Sequence, residues 1–212
     1  MVDPILTSED HARIAAAIRA AEGATAGEIH CVVTRSSADY YFPAAFVALM
    51  SILAASLGLA VALEIGWFGI RLPFFVGAQL LAVAGVHLLL TAFPPLALAL
   101  APRRLQLARA HDNAVKQFLA QNIHVTAGRT GVLIFVSLAE RYAEIIADSG
   151  IDAHVEQSSW DGIVADLIEH ARTGRLADGF VRSIAAAGSL LAAHVPPVEG
   201  DRNELDDHLV EL

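Results

Sequence analysis

The chain has 212 residues, 55% of them hydrophobic, a formal net charge of −9 and a single cysteine. That apolar excess, with a mean hydropathy of +0.53, is too high for an ordinary soluble domain. The acidic balance and the absence of a clustered basic face disfavour a nucleic-acid binder, and one cysteine excludes an intramolecular disulfide.

The first element is a helix over residues 8–22. Ser8 stands at its N-cap, Glu9 and Asp10 favour the positive end of its dipole, and Ile14, Ala17, Ile18 and Ala21 recur at helical spacing. Gly23 ends it. Glu28 to Thr34 (Glu-Ile-His-Cys-Val-Val-Thr) is a strand rich in β-branched residues, and Cys31 reads as a buried strand thiol. The start, Met-Val-Asp-Pro, has neither the basic nor the apolar region of a signal peptide.

Two uncharged stretches follow. Phe42 to Leu63 has no Asp, Glu, Lys, Arg or His; Leu72 to Pro102 has His87 as its one ionisable group. About 20 apolar residues cross a bilayer as a helix, so residues 42–102 are expected to form a transmembrane hairpin. Its connecting loop, Glu64 to Arg71, carries one acid and one base, while Arg35 and Arg103, Arg104 and Arg109 flank the outer ends. Positive residues in short flanks stay cytoplasmic, so both termini are expected in the cytoplasm and Trp67 on the far side. Tyr40, Tyr41, Trp67 and Phe68 sit at the expected water–lipid boundaries. The second span is expected to end at Pro94-Pro95, leaving residues 94–102 as an interfacial bend. His87 is read as neutral and bonded to the first span through Ser51 or Ser56. Gly58, Gly77 and Gly85 suit close helix packing.

The chain returns as an Arg-rich helix over about 103–121. Thr130 to Ser137 is a nearly all-apolar strand, buried on both faces. Ala139 to Arg141 is a tight turn, and Tyr142 to Asp148 a third strand forming a hairpin with the second. Helices over about 158–173 and 176–194 follow, separated by Gly174. This order predicts an α/β fold: a small mixed sheet flanked by helices, formed by residues 1–41 with 103–195 and interrupted by the hairpin at 42–102. Residues 196–212 begin Pro-Pro-Val and hold six acids against Arg202 alone, which reads as an acidic disordered tail.

Three segments resemble the TPM domain, the family named from thylakoid, photosystem-repair and receptor-modulating proteins. Glu22 to Arg35 is similar to its first helix-to-strand junction. Thr130 to Ile151 (Thr-Gly-Val-Leu-Ile-Phe-Val-Ser … Glu-Arg-Tyr-x-Glu-Ile … Asp-x-Gly-Ile) is similar to its central hairpin. Trp160 to His194 is similar to its final helix pair. The resemblance implies a TPM-like sandwich. It also implies phosphatase activity or binding of a divalent cation, calcium or magnesium, at acidic groups near the loops. The Asp-Asn that precedes the Gly-Val-Leu strand in the family is Arg129-Thr130 here.

The densest polar set is Glu28, Arg129, Glu140, Arg141, Glu144, Asp148 and Asp152. Phosphoryl chemistry needs a nucleophile or metal-bound water together with cations. Arg129, Glu140, Asp148 and Asp152 are the candidate catalytic residues on that reading, with Asp148 and Asp152 the candidate metal ligands. No phosphate-cradling glycine loop is present, and structural ion pairs account for the same residues. The nine histidines lack zinc-site spacing, and Asp166 with His170 reads as a surface pair. The expected role is therefore that of an integral bacterial inner-membrane protein. Its cytoplasmic TPM-like domain would modulate, or survey the quality of, a membrane-protein partner, with the lipid bilayer as its other contact. The alternative is a membrane-bound phosphatase-like hydrolase. A two-span transporter with one ionisable group is disfavoured.

Overall fold

The computed structural model describes residues 4–67, 69, 71–126, 128–197 and 206–212. The chain divides into two units, Met1–Ser37 with Arg109–Leu212, and Ala38–Ala108.

The first unit is an α/β sandwich. Helix α1, Ser8–Glu22, is capped by Thr7 rather than Ser8: the Thr7 hydroxyl accepts from the Asp10 amide, and the Asp10 carboxylate accepts from the Thr7 amide. Strand β1, Glu28–Thr34, lies at the centre with all seven residues buried. It pairs in parallel with β2, Gly131–Ser137, which pairs antiparallel with β3, Tyr142–Ala147. The sheet is therefore mixed, as its sequence suggests. A fourth strand corrects the reading of the acidic tail. Leu209–Glu211 forms β4, parallel to β1, and gives the order β3-β2-β1-β4. Leu209 is buried among core residues, and that burial outweighs the segment's charge. Residues 198–205 of the expected tail lie outside the described residues.

One face of the sheet (Ile29, Cys31, Val33, Val132, Ile134) packs under α1, α7 (Gln157–Arg172) and α8 (Leu176–His194). Phe180, Ile184 and Leu191 of α8 are fully buried there. Helices α1 and α8 meet closely at Gly188, where a Cβ would stand 2.6 Å from the Ala21 Cβ. The other face (Val32, Leu133, Phe135) packs on Ala114 and Phe118 of helix α5, Arg103–Ala120. Strand alternation thus sends Glu28, His30 and Val32 to the α5 side, and Ile29, Cys31 and Val33 to the α8 side.

The second unit holds α2 (Tyr41–Ile65), α3 (Leu72–Ala92) and α4 (Pro94–Leu100). The prolines expected to leave a bend instead start α4, because a proline in the first turn removes a donor that has no intrahelical partner. The unit's small core is Tyr40, Ala44, Leu90, Ala97 and Ala101. Gly58, Gly77 and Gly85 meet nothing within 4 Å, so they do not line the helix contact. His87 Nδ1 bonds the Tyr41 hydroxyl rather than a serine; the Ser51 hydroxyl is spent on its own helix at the Val47 carbonyl. Trp67 is exposed, and Phe68 lies outside the described residues.

Among the described residues, three helices are long and apolar enough to cross a membrane by length and composition: α2, α3 and α8. They differ in cover. The apolar stretch of α8 is 44% buried, against 0% for α2 and 6% for α3.

Candidate functional site

The hairpin carries the expected polar residues, at two separate ends. At the amino end of β2, Arg129 adopts a left-handed backbone (φ +53°) that turns the chain into the strand. Its Nε lies 3.0 Å from each Asp148 carboxylate oxygen and donates to Oδ1. Asp148 is buried and also caps the short helix α6, Ser149–Asp152, by accepting from the Ser149 amide at 2.6 Å. The Gly150 amide donates to the Arg129 carbonyl at 2.9 Å, and a Cβ at Gly150 would meet that carbonyl oxygen at 2.6 Å. Only glycine lets α6 sit this close to the Arg129 turn. Asp152, the other expected ligand, is exposed on α6.

Glu140 lies at the opposite end of β2. Six strand steps of about 3.3 Å separate the two ends by about 20 Å. Its fully buried carboxylate accepts from the Ser137 hydroxyl, the Ser36 hydroxyl (3.1 Å) and the Ser37 amide (2.9 Å). The group staples the β2–β3 turn to the segment leaving β1. Arg141, also left-handed at φ +49°, borders a cavity of about 390 Å³ shared with Val136, Tyr142, Leu167 and Arg172. Glu144 on β3 accepts from the Tyr142 hydroxyl at 2.9 Å and lies 3.0 Å from His111 Nδ1. The structure therefore brings Arg129 and Asp148 together, places Asp152 on the adjoining helix and leaves Glu140 at the far end. The Arg129 Nε donates to one Asp148 carboxylate oxygen, while the other finds no hydrogen-bond partner among the described residues. Among the described residues no group of three or more His, Cys, Asp or Glu side chains is arranged to hold a metal ion.

A third polar group has no counterpart in the sequence reading. It forms where the amino end of β1 meets the segment entering β4. Glu22, at the end of α1, accepts from the Ile29 amide at 2.9 Å, and Asp207 lies close enough to act on its charge. Burial pushes its carboxyl up to about 8; Glu28 and Asp207 add to the shift, and the Ile29 amide opposes it. His30 is 3% exposed, and its ring meets that of His208 edge-on at 6.0 Å. Neither His30 nitrogen finds a hydrogen-bond partner among the described residues. Burial, then repulsion from His208, pushes this imidazole down to about 4 against a smaller pull from Asp206. Cys31 beside it is buried, which pushes its thiol well up and leaves it unreactive. No local signal joins Glu22 to Asp207, because they lie near opposite ends of the chain.

The sequence model of the TPM domain matches residues 101–190. The chain carries a TPM domain. That stretch covers α5 through most of α8, including the β2–β3 hairpin; α1, β1 and β4, which complete the sheet and core, lie outside it. Among solved structures, the chain is similar to the NMR structure of the BA42 protein from the psychrophilic bacterium Bizionia argentinensis. Identity is 20%, the TM-score is 0.61, and the likeness covers 100% of this chain and 99% of that one. At that identity the likeness shows the fold. No curated protein matches the chain.

Proposed function

We propose that the chain is an integral protein of the bacterial inner membrane. In this reading α2 and α3 anchor it, and its TPM domain works in the cytoplasm as a binding module that modulates, or monitors the quality of, another membrane protein. The observation that carries this reading is the bareness of the two anchor helices. They are 25 and 21 residues long, and their most apolar 18-residue stretches have mean hydropathies of 2.4 and 1.9 and almost no cover. At about 1.5 Å per residue they measure about 37 and 31 Å, enough for a hydrocarbon core of about 30 Å. Such faces are costly in water and favourable in lipid. Helix α8 has another use for its apolar side, since Phe180, Ile184 and Leu191 fill the TPM-domain core. Arg35, Arg103, Arg104 and Arg109 outweigh Arg71 and set the orientation.

The binding role is supported by how the strand-end polar groups are engaged. Asp148 caps a helix and pairs with Arg129, and Glu140 staples a turn. In-cell photo-crosslinking from the TPM domain tests it: a reproducible membrane-protein adduct supports the reading, and none across independent preparations counts against it. The hydrolase alternative has one favourable observation, the meeting of Arg129 with Asp148. Purified chain assayed on aryl phosphates with and without magnesium or calcium decides it, and turnover abolished in Asp148→Asn with the fold retained would favour the hydrolase.

A further inference from the structure

We propose that the cavity between the β2–β3 turn and the last turns of α7 binds an apolar carboxylate, a hydrocarbon or aromatic body with one carboxylate at its end. The site lies at the other end of β2 from the Arg129–Asp148 pair. It goes beyond the binding-module reading, since its ligand is a small molecule.

Strand alternation turns Val136 of β2 and Ala143 of β3 to the α7 side of the sheet. Leu167, Ile168 and Ala171 recur at helical spacing along α7 and face them across the cavity. Leu138, just after β2, completes the apolar wall. The small side chains of Ala143 and Ala171 leave a space of about 390 Å³. A mostly apolar space of that size falls in the range that holds a small organic ligand.

The charged groups on the lining are two cations and no acid. Arg141 comes from the β2–β3 turn and Arg172 from the last turn of α7. Both residues are exposed, which puts them at the mouth. Arg141 donates its main-chain amide to the Leu138 carbonyl at 3.1 Å, and its guanidinium makes no ion pair among the described residues. Arg172 lies 3.9 Å from Glu169, with both side chains exposed, a contact that holds loosely in water. The turn keeps Arg141 in left-handed backbone at φ +49°, and the buried Glu140 fixes that turn, so one cation is anchored before a ligand arrives. The hydroxyls on the wall are already engaged, Ser137 with Glu140 and Ser37, and Tyr142 with Glu144. A body studded with hydroxyls or amides would lose its water bonds inside without replacing them, whereas a hydrocarbon chain or ring has none to lose. Two guanidinium groups beside an apolar cavity select a negative end on that body. The planar fork of a guanidinium matches the two oxygens of a carboxylate.

The test uses the full chain, methyl-labelled at Ile, Leu and Val, in phosphatidylcholine nanodiscs, with octanoate as the probe and its free concentration fixed by dialysis. The methyl signals of Val136, Leu138, Leu167 and Ile168 are expected to shift and saturate, while those of Leu133, on the α5 side of the sheet, stay in place. Octanol, which has the same body without the charge, is expected to bind at least tenfold more weakly. Arg141→Gln and Arg172→Gln are each expected to weaken octanoate binding at least fivefold with an unchanged melting temperature. Ala171→Phe, which fills the cavity, is expected to abolish binding. The two arginines are exposed, so their variants keep the test decisive if Ala171→Phe fails to fold. No saturable shift at the cavity methyls overturns the proposal, as does equal binding of octanol and octanoate, or octanoate binding unchanged in both arginine variants. Octyl phosphate binding more tightly than octanoate would assign the cavity to phosphate-bearing ligands and likewise overturn it.

Discussion

Replacing Glu22 by Gln is expected to stabilise the TPM domain, and to do so only above mildly acidic pH. The Glu22 carboxyl titrates at about 8 in the fold against an ordinary 4.5. Its folded value is raised, so folding favours the protonated form. As pH climbs from 4.5 towards 8 the unfolded chain ionises freely, the folded chain must hold its proton, and stability is lost across that window; above 8 the loss levels off. At 1.36 kcal/mol per pH unit the full interval corresponds to about 5 kcal/mol. Solvent reaches part of this side chain, and screening reduces the figure to about 2 kcal/mol. Glutamine keeps the acceptor for the Ile29 amide, sets a neutral group beside Glu28 and Asp207, and carries no proton to lose. Thermal unfolding of the full chain in micelles, followed by circular dichroism, reads the difference. At pH 8 Glu22→Gln should melt about 4–8 °C above wild type, and near pH 5 the two should converge. The His30 titration is common to both proteins and cancels in the comparison. A constant offset at all pH values, or a variant that melts lower at pH 8, would refute the reasoning.

Other substitutions test separate parts of the fold. Gly188→Val should destabilise by about 1–3 kcal/mol, because its Cβ falls 2.6 Å from the Ala21 Cβ where α1 meets α8; a denaturant midpoint equal to wild type would contradict that contact. Glu140→Ala strands the Ser137 and Ser36 hydroxyls and the Ser37 amide and should cost about 2–4 kcal/mol, with amide exchange rising first in the β2–β3 turn. His30 is buried neutral, with its folded value about 4 below an ordinary 6.5, so its contribution holds above 6.5 and is lost as pH falls towards 4. His30→Leu should therefore flatten the acid limb of the stability curve between those values, and an unchanged limb would assign acid unfolding to other groups.

Local pattern carried most of the secondary structure. Ile14 and Ile18, read from helical spacing, are both fully buried, and the uninterrupted apolar run at Gly131 to Ser137 is a central strand buried throughout. Where a second effect competed with pattern, the reading failed. The acids around Leu209 and Val210 signal solvation, but two apolar residues at a sheet edge suffice once β1 supplies a partner. Pro94-Pro95 ends the second span after Ala92 as read, but the same chemistry also starts α4 where a bend was expected. The hairpin's polar ends, Arg129–Asp148 and Glu140, were legible only through the family resemblance, which aligns the strands. The serines that Glu140 binds were not, since Ser36 and Ser37 reach it only after β1 and β2 pair. The Glu22–Asp207 meeting depends on β4, and missing that strand hid it.

The central claim is that α2 and α3 cross the inner membrane with the TPM domain in the cytoplasm. Cysteine accessibility in intact cells tests it directly, since the native Cys31 is buried and silent. Trp67→Cys, at a position 95% exposed between the two helices, should react with a membrane-impermeant maleimide added outside the inner membrane. Ala153→Cys, exposed after α6, should react only once the cells are lysed. Labelling of both sites in intact cells, of Ala153→Cys alone, or release of the chain from membranes by alkaline carbonate would contradict the account.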